Sequence, residues 1–325
     1  MAETDLYPPL QRLFESEGYV AIPQFSFVHP LFKKAEKYSP KTDLAAFRWN
    51  DCDEVEAVAV EVKPGSHTTS PLQGIPQGVT YQLLFPLAYV AAETREEDLD
   101  FSRGVLEGLK LGYISVSANH AQIVLQPRPS ERTMKSDFHE MTRPAGVLVL
   151  MAQTFLKDKL AEDFACNAKS ESFWLWTRQK DRVQLQFGIG EEFTYFSCYS
   201  DIKWVCGAVA TRAEPGRIAA LLNEIPPQYE TQHTCDHVER TNTRKLDYEC
   251  TGSEYCRFRH NAQEIGTAMQ HVTQWCQEPR RLGTLSFCVK LWKRDRRITR
   301  QEAEERVLGV LEPMLQLRKH LNSLL

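Results

Sequence analysis

Three side chains in the stretch "KTDLAAFRWNDCDEVEAVAVEVKPG", from Lys41 to Gly65, could do chemistry together: Asp43, Glu61 and Lys63. The stretch reads as two alternating apolar runs around a polar turn. Taking Asn50 to Glu54 as the loop places Trp49 opposite Val55, Phe47 opposite Ala57, Ala45 opposite Ala59 and Asp43 opposite Glu61. Lys63 follows Glu61 by two positions and so points to the same face. Like charges opposed across a hairpin repel, and the rest of this face is apolar and should be buried, so the two acids need a partner. Hard carboxylate oxygens in that arrangement suit Mg²⁺, with Mn²⁺ as a substitute, and such ions keep positions open for water and substrate phosphates. A bound ion would acidify a water and stabilise charge on a phosphoryl oxygen, and the lysine would orient or deprotonate that water. A register slip of one residue would turn Asp43 to the opposite face and break the set.

The flanking elements must hold this hairpin. Residues 6–17 place Leu6, Leu10, Leu13 and Phe14 on one helical face, with Gly18 as a stop. "YVAIPQFSF" is a short extended run. After the hairpin, Pro64 to Gly78 reads as a loop rich in Pro, Gly, Ser and Thr, followed by a helix from about Gln77 to Pro86 and the strand "LAYVAAE". His67 in that loop reads as exposed. A helix over "LDFSRGVLEGLKLG" and a hairpin around "SANH" close the region.

Asp43 followed by Glu61-Val62-Lys63 at the end of an apolar strand resembles the core motif of the PD-(D/E)XK, or restriction-endonuclease-like, nuclease superfamily. The order of elements adds to the resemblance: acidic helix, hairpin, Gln-bearing helix, strand, hairpin. "QGVTY", Gln77 to Tyr81, has the Gln-x-x-x-Tyr spacing of one branch, with Gln82 as a competing glutamine. Thr42 stands where the motif's proline would precede the aspartate. The resemblance covers residues 6–126. It implies a restriction-endonuclease-like mixed sheet flanked by helices, Asp43 and Glu61 as metal ligands, a further acidic ligand from Glu15 or Glu17, and Lys63 and Gln77 in catalysis. It also implies DNA as the default substrate, in restriction, repair or defence against foreign DNA.

The chain divides into 1–126 as the nuclease-like domain, 127–146 as a polar, proline-bearing linker, and 147–325 as a second, α+β domain. That second part opens with a helical pattern, continues in strand-like runs, and ends in a long helix from about Arg300, where Thr299 and Glu302 have capping-box spacing. Its expected roles are target recognition, an effector site or a homodimer contact. Cys250-x5-Cys256-x3-His260 matches the last three ligands of a CCCH finger, with Cys235 as a first ligand, and such a set suits structural Zn²⁺. His233 and His237 are rival ligands, and a plain hairpin with small buried cysteines explains the same residues. Lys293, Arg294, Arg296, Arg297 and Arg300 form a basic run at the start of the last helix that could contact nucleic acid, or serve as a solvated face.

The formal net charge of −4 excludes a generally basic nucleic-acid binder; residues 1–126 carry −7 and residues 127–325 carry +3. No apolar run is long enough to span a bilayer, and nine scattered cysteines read as reduced thiols, which together suggest a cytoplasmic protein. The expected activity is Mg²⁺-dependent phosphodiester hydrolysis. Two alternatives are a nuclease fold that binds nucleic acid without cutting it, and a zinc-stabilised RNA-binding protein.

Overall fold

The computed structural model describes residues 2–25, 41–65, 70–93, 99–131, 142–169, 172–178, 182–190, 192–201, 209–238, 255–258, 261–276 and 282–325. The hairpin forms in the register that the alternation requires. β2 (Leu44–Trp49) and β3 (Val55–Lys63) pair antiparallel, with Trp49 opposite Val55, Phe47 opposite Ala57, Ala45 opposite Ala59 and Leu44 opposite Val60. The Asn50 side chain closes the loop by accepting from the backbone N–H groups of Cys52 and Glu54, each at 2.9 Å.

β1 (Val20–Pro23) lies antiparallel on the outer side of β2. On the other side, β4 (Leu87–Ala92) runs parallel to β3, β5 (Gly112–Val116) runs parallel to β4, and β6 (Ala121–Leu125) closes the sheet antiparallel to β5. The result is a mixed six-stranded sheet in sequence order. α1 (Tyr7–Ser16) and the residue before it cover one face, where Leu6, Leu10 and Phe14 meet Ala46, Val58, Val60 and Val62. The opposite face, with Ala45, Phe47, Ala57 and Ala59, packs against α2 (Ser70–Tyr81), α3 (Asp100–Gly108) and α4 (Arg143–Ala152). Cover on both sides explains why β3 reads as an almost continuous apolar run.

α2 begins inside the segment expected to be a loop. Pro71 sits in its first turn, where a missing N–H costs nothing, and Gly74 lets the helix approach β4 closely. A Cβ on Gly74 would come within 2.6 Å of Val90 Cγ1. The residues that look like loop punctuation are therefore packing devices. The helix also ends at Tyr81, short of Pro86.

α4 starts at Arg143, within the segment expected as linker, and is buried from Pro144 to Ala152. It lies against β2 and β3 of the first sheet and against β8 (Ser172–Thr177) and β9 (Gln184–Ile189) of the second. A Cβ on Gly146 would lie 2.7 Å from both Phe47 Cδ1 and Val55 Cγ1, so only glycine permits this approach. One buried cluster runs continuously through both sheets. The helix continues as a π-helix over Gln153–Lys159, a rare geometry that recurs at functional sites.

The second sheet has seven antiparallel strands in the order β12-β11-β13-β10-β9-β8-β7, adding β7 (Phe164–Lys169), β10 (Phe193–Asp201), β11 (Thr231–Val238), β12 (Tyr255–Phe258) and β13 (Leu282–Lys293). Around it lie α5 (Val209–Arg212), α6 (Pro215–Asn223), α7 (Ala262–Cys276) and α8 (Arg300–Leu324). The protein is thus an α/β fold with a mixed sheet joined to a second α+β portion. Thr299 caps α8 by accepting from the Glu302 N–H at 3.3 Å, while the Glu302 carboxylate pairs with Arg296 at 2.5 Å. Buried Arg318 on α8 grips buried Glu162 at 2.6 and 2.9 Å and donates to the Val183 carbonyl. No helix among the described residues is long and apolar enough to cross a membrane.

Candidate active site

The hairpin register delivers Asp43 and Glu61 to one end of the sheet. Asp43 precedes β2 by one residue, and its Oδ2 accepts from the Val62 N–H at 2.7 Å. The Glu61 carboxylate lies close enough to act on the Asp43 carboxyl. Burial is the main cause that raises the Asp43 pKa to about 7; the charges of Glu61 and Glu3 add to it, and the Val62 hydrogen bond opposes it. Burial thus favours the protonated form of Asp43 in the metal-free protein.

Glu61 is only 4% exposed. Its Oε1 pairs with Lys63 Nζ, and its Oε2 lies 2.5 Å from the Tyr81 hydroxyl. That hydroxyl also sits 2.9 Å from the Lys41 carbonyl, so one phenolic proton serves two acceptors. Burial and the Glu61 charge hold the Tyr81 phenol protonated, far above its ordinary range. Tyr81 therefore acts as a donor that fixes Glu61, and α2 places it there from the last residue of the helix.

The third acid is one that sequence spacing did not single out. Glu3 lies in the 3₁₀ turn Glu3–Leu6 ahead of α1, accepts from the Tyr7 hydroxyl at 2.8 Å, and raises the pKa values of both Asp43 and Tyr81. Its spacing of four from Tyr7 was the available signal. Glu15 and Glu17 stand at the other end of α1, roughly 15 Å away by helical rise. Glu17 lies beside Tyr89, and its carbonyl accepts from Arg48, while Glu15 faces a groove described below. An acid at the first turn and one at the last look alike in sequence, and only the lie of α1 across the sheet separates them.

Gln77 is exposed on α2, one turn before Tyr81. Gln82 is buried, and its amide donates to the Leu109 carbonyl at 2.9 Å, which makes it a strut between α2 and α3. Glu93, at the end of β4, accepts from the Gly65 N–H at 2.7 Å and ties the exits of the two parallel strands together.

Of the proposed zinc set, the backbone positions of Cys235 and Cys256 oppose each other across β11 and β12; Cys250 and His260 lie outside the described residues. Among the described residues, no cluster of three or more His, Cys, Asp or Glu side chains is arranged to hold a metal ion. The basic run is largely committed elsewhere. Arg296 pairs with Glu302, Arg300 with Glu304 at 2.8 Å, and Arg297 with Glu54 at the tip of the β2–β3 loop. The backbone of Arg294 donates to the Glu192 carbonyl, and Lys293 ends β13. This segment thus works in part as a tie between the second sheet and the hairpin.

No family model matches the chain, and no curated protein matches it. A solved structure of a protein of unknown function from Silicibacter pomeroyi matches at 15% identity with a TM-score of 0.31, covering 50% of this chain and 96% of that one. At that level the likeness bears on neither fold family nor function.

Proposed function

We propose that the protein is a Mg²⁺-dependent nuclease of the PD-(D/E)XK type that hydrolyses phosphodiester bonds, with DNA as the default substrate. The observation that carries this reading is the register of β2 on β3, which brings Asp43, Glu61 and Lys63 to one end of one sheet. Two hard carboxylates at a strand end, Asp43 and Glu61, are the donors that suit the ion, and the charge of Glu3 adds to theirs in the raised pKa of Asp43, whose main cause is burial. When bound there, Mg²⁺ would supply an acidified water and stabilise charge on phosphate oxygen. Lys63 beside Glu61 would orient that water, Tyr81 fixes the Glu61 carboxylate, and Gln77 is exposed one turn before Tyr81 on α2. The free thiols of Cys52, Cys166, Cys198 and Cys288 suit a cytoplasmic setting, where restriction, repair and defence operate.

A second reading has its own observation. Glu61 is almost fully buried, and both its oxygens already have partners, as in a nuclease fold that binds nucleic acid without cutting it. Cleavage of labelled DNA and RNA with Mg²⁺ separates the two. Glu61→Ala and Lys63→Ala should each lower the rate at least about 100-fold. Absence of cleavage of any substrate by the wild type, or unchanged rates in both variants, would refute the nuclease reading.

A further inference from the structure

A groove of about 840 Å³ separates the outer strand of the first sheet from the outer strand of the second. Residues 20–24 along β1 and Phe164–Cys166 along β7 all line it. Side chains of a strand alternate between faces, so a wall built from consecutive residues is a strand edge, not a face. Its floor includes α1, through Tyr7 and Glu15, and the π-helix, through Lys157. At one end it reaches the acid cluster, because Tyr7 and Gln24 line the groove, Tyr7 bonds to Glu3, and Asp43 lies close enough to act on Tyr7.

We infer that this groove holds one strand of nucleic acid and leads it to the Asp43–Glu61–Lys63 cluster, an inference that rests on the nuclease reading above. Lys157 and Arg178 line the groove, and among the described residues neither has a carboxylate partner in ion-pair contact. Both are free to meet backbone phosphates. Glu15 and Asp163 also line it and keep its overall charge near zero. That balance suits a single strand, with one charge per ~3.4 Å, over a duplex, with one per ~1.7 Å. The β1 edge is closed to an added peptide strand, since Pro23 has no N–H to offer and the Ala21 carbonyl already accepts from Gln11. The size of the groove, its continuity with the acids and its unpaired cations thus favour a nucleic-acid strand over a peptide.

The test uses the full-length protein in EDTA and fluorescence anisotropy with labelled oligonucleotides of about 15 nucleotides: single-stranded DNA, single-stranded RNA and duplex DNA. Single strands should bind more tightly than duplex, with the DNA and RNA arms naming the preferred sugar. Lys157→Ala/Arg178→Ala should weaken single-strand binding at least about 10-fold and flatten the plot of log affinity against log salt by about 1.4, or about 0.7 per lost phosphate contact. Lys157→Arg/Arg178→Lys should keep the wild-type slope, which separates charge from folding. Tighter binding of duplex, or unchanged affinity and slope in the alanine pair, overturns the inference. The nuclease reading fails separately. If Lys63→Ala abolishes cleavage while the alanine pair cuts and binds as wild type, only the groove is refuted. If single strands bind as described but no substrate is cut, only the nuclease is.

Discussion

Removing the negative charge of Asp43 should stabilise the metal-free protein, with a gain that opens above about pH 4 and is complete above about pH 7. The folded protein holds this carboxyl up to about 7, against an ordinary 3.8, chiefly because it is buried beside Glu61 and Glu3. A raised acid favours its protonated form in the fold. Its contribution to stability is therefore complete below about pH 4 and is lost as pH rises through about 7. The difference amounts to about 4 kcal/mol at pH 8. Asp43→Asn, which is neutral at every pH and can still accept from the Val62 N–H, should match the wild type at low pH and exceed it by that amount at pH 8. In a chain of this size the gap corresponds to roughly 6 °C in Tm. Thermal unfolding of both proteins in EDTA across this range measures it directly. Added Mg²⁺ should raise the wild-type Tm at pH 8 and close most of the gap, because the ion binds the folded acids and not the unfolded chain. A constant difference between wild type and Asp43→Asn across the whole range would show that the Asp43 carboxyl is not under strain from its neighbours.

Two further outcomes follow from the same geometry. Tyr81→Phe removes a buried donor from Glu61, so stability should fall by about 1–3 kcal/mol and the cleavage rate at least about 10-fold with little change in KM; a normal rate in single-turnover kinetics would refute the positioning role. Arg318→Met leaves Glu162 charged and unpaired in the core and should cost about 3–5 kcal/mol in urea unfolding, most of it recovered by adding Glu162→Leu.

Several elements were legible because each has one dominant cause. Alternation along Leu44 to Lys63, with a loop closed by Asn50, leaves a single register that buries Phe47 and Ala57 together, and the structure has that register. The strand at Leu87, the helix at Asp100, the hairpin about "SANH" and α8 behind Thr299 likewise follow local pattern. α2 and α4 did not, because Pro71, Gly74 and Gly146 carry the signature of loops while serving helix ends and close packing. Periodicity reports that a face is buried, and it does not say against what.

The candidate site divides in the same way. The alternation and loop length of the hairpin were enough to predict that Asp43, Glu61 and Lys63 meet at one strand end, where Asp43 bonds to the Val62 N–H and Lys63 pairs with Glu61. The proximity of Glu3 to these acids, the remoteness of Glu15 and Glu17, the hold of Tyr81 on Glu61 and the groove between two strand edges all arise from packing in three dimensions. Those relations depend on how α1, α2 and α4 lie across the sheets. That lie is the joint outcome of many side-chain packings, and no spacing along the chain records it.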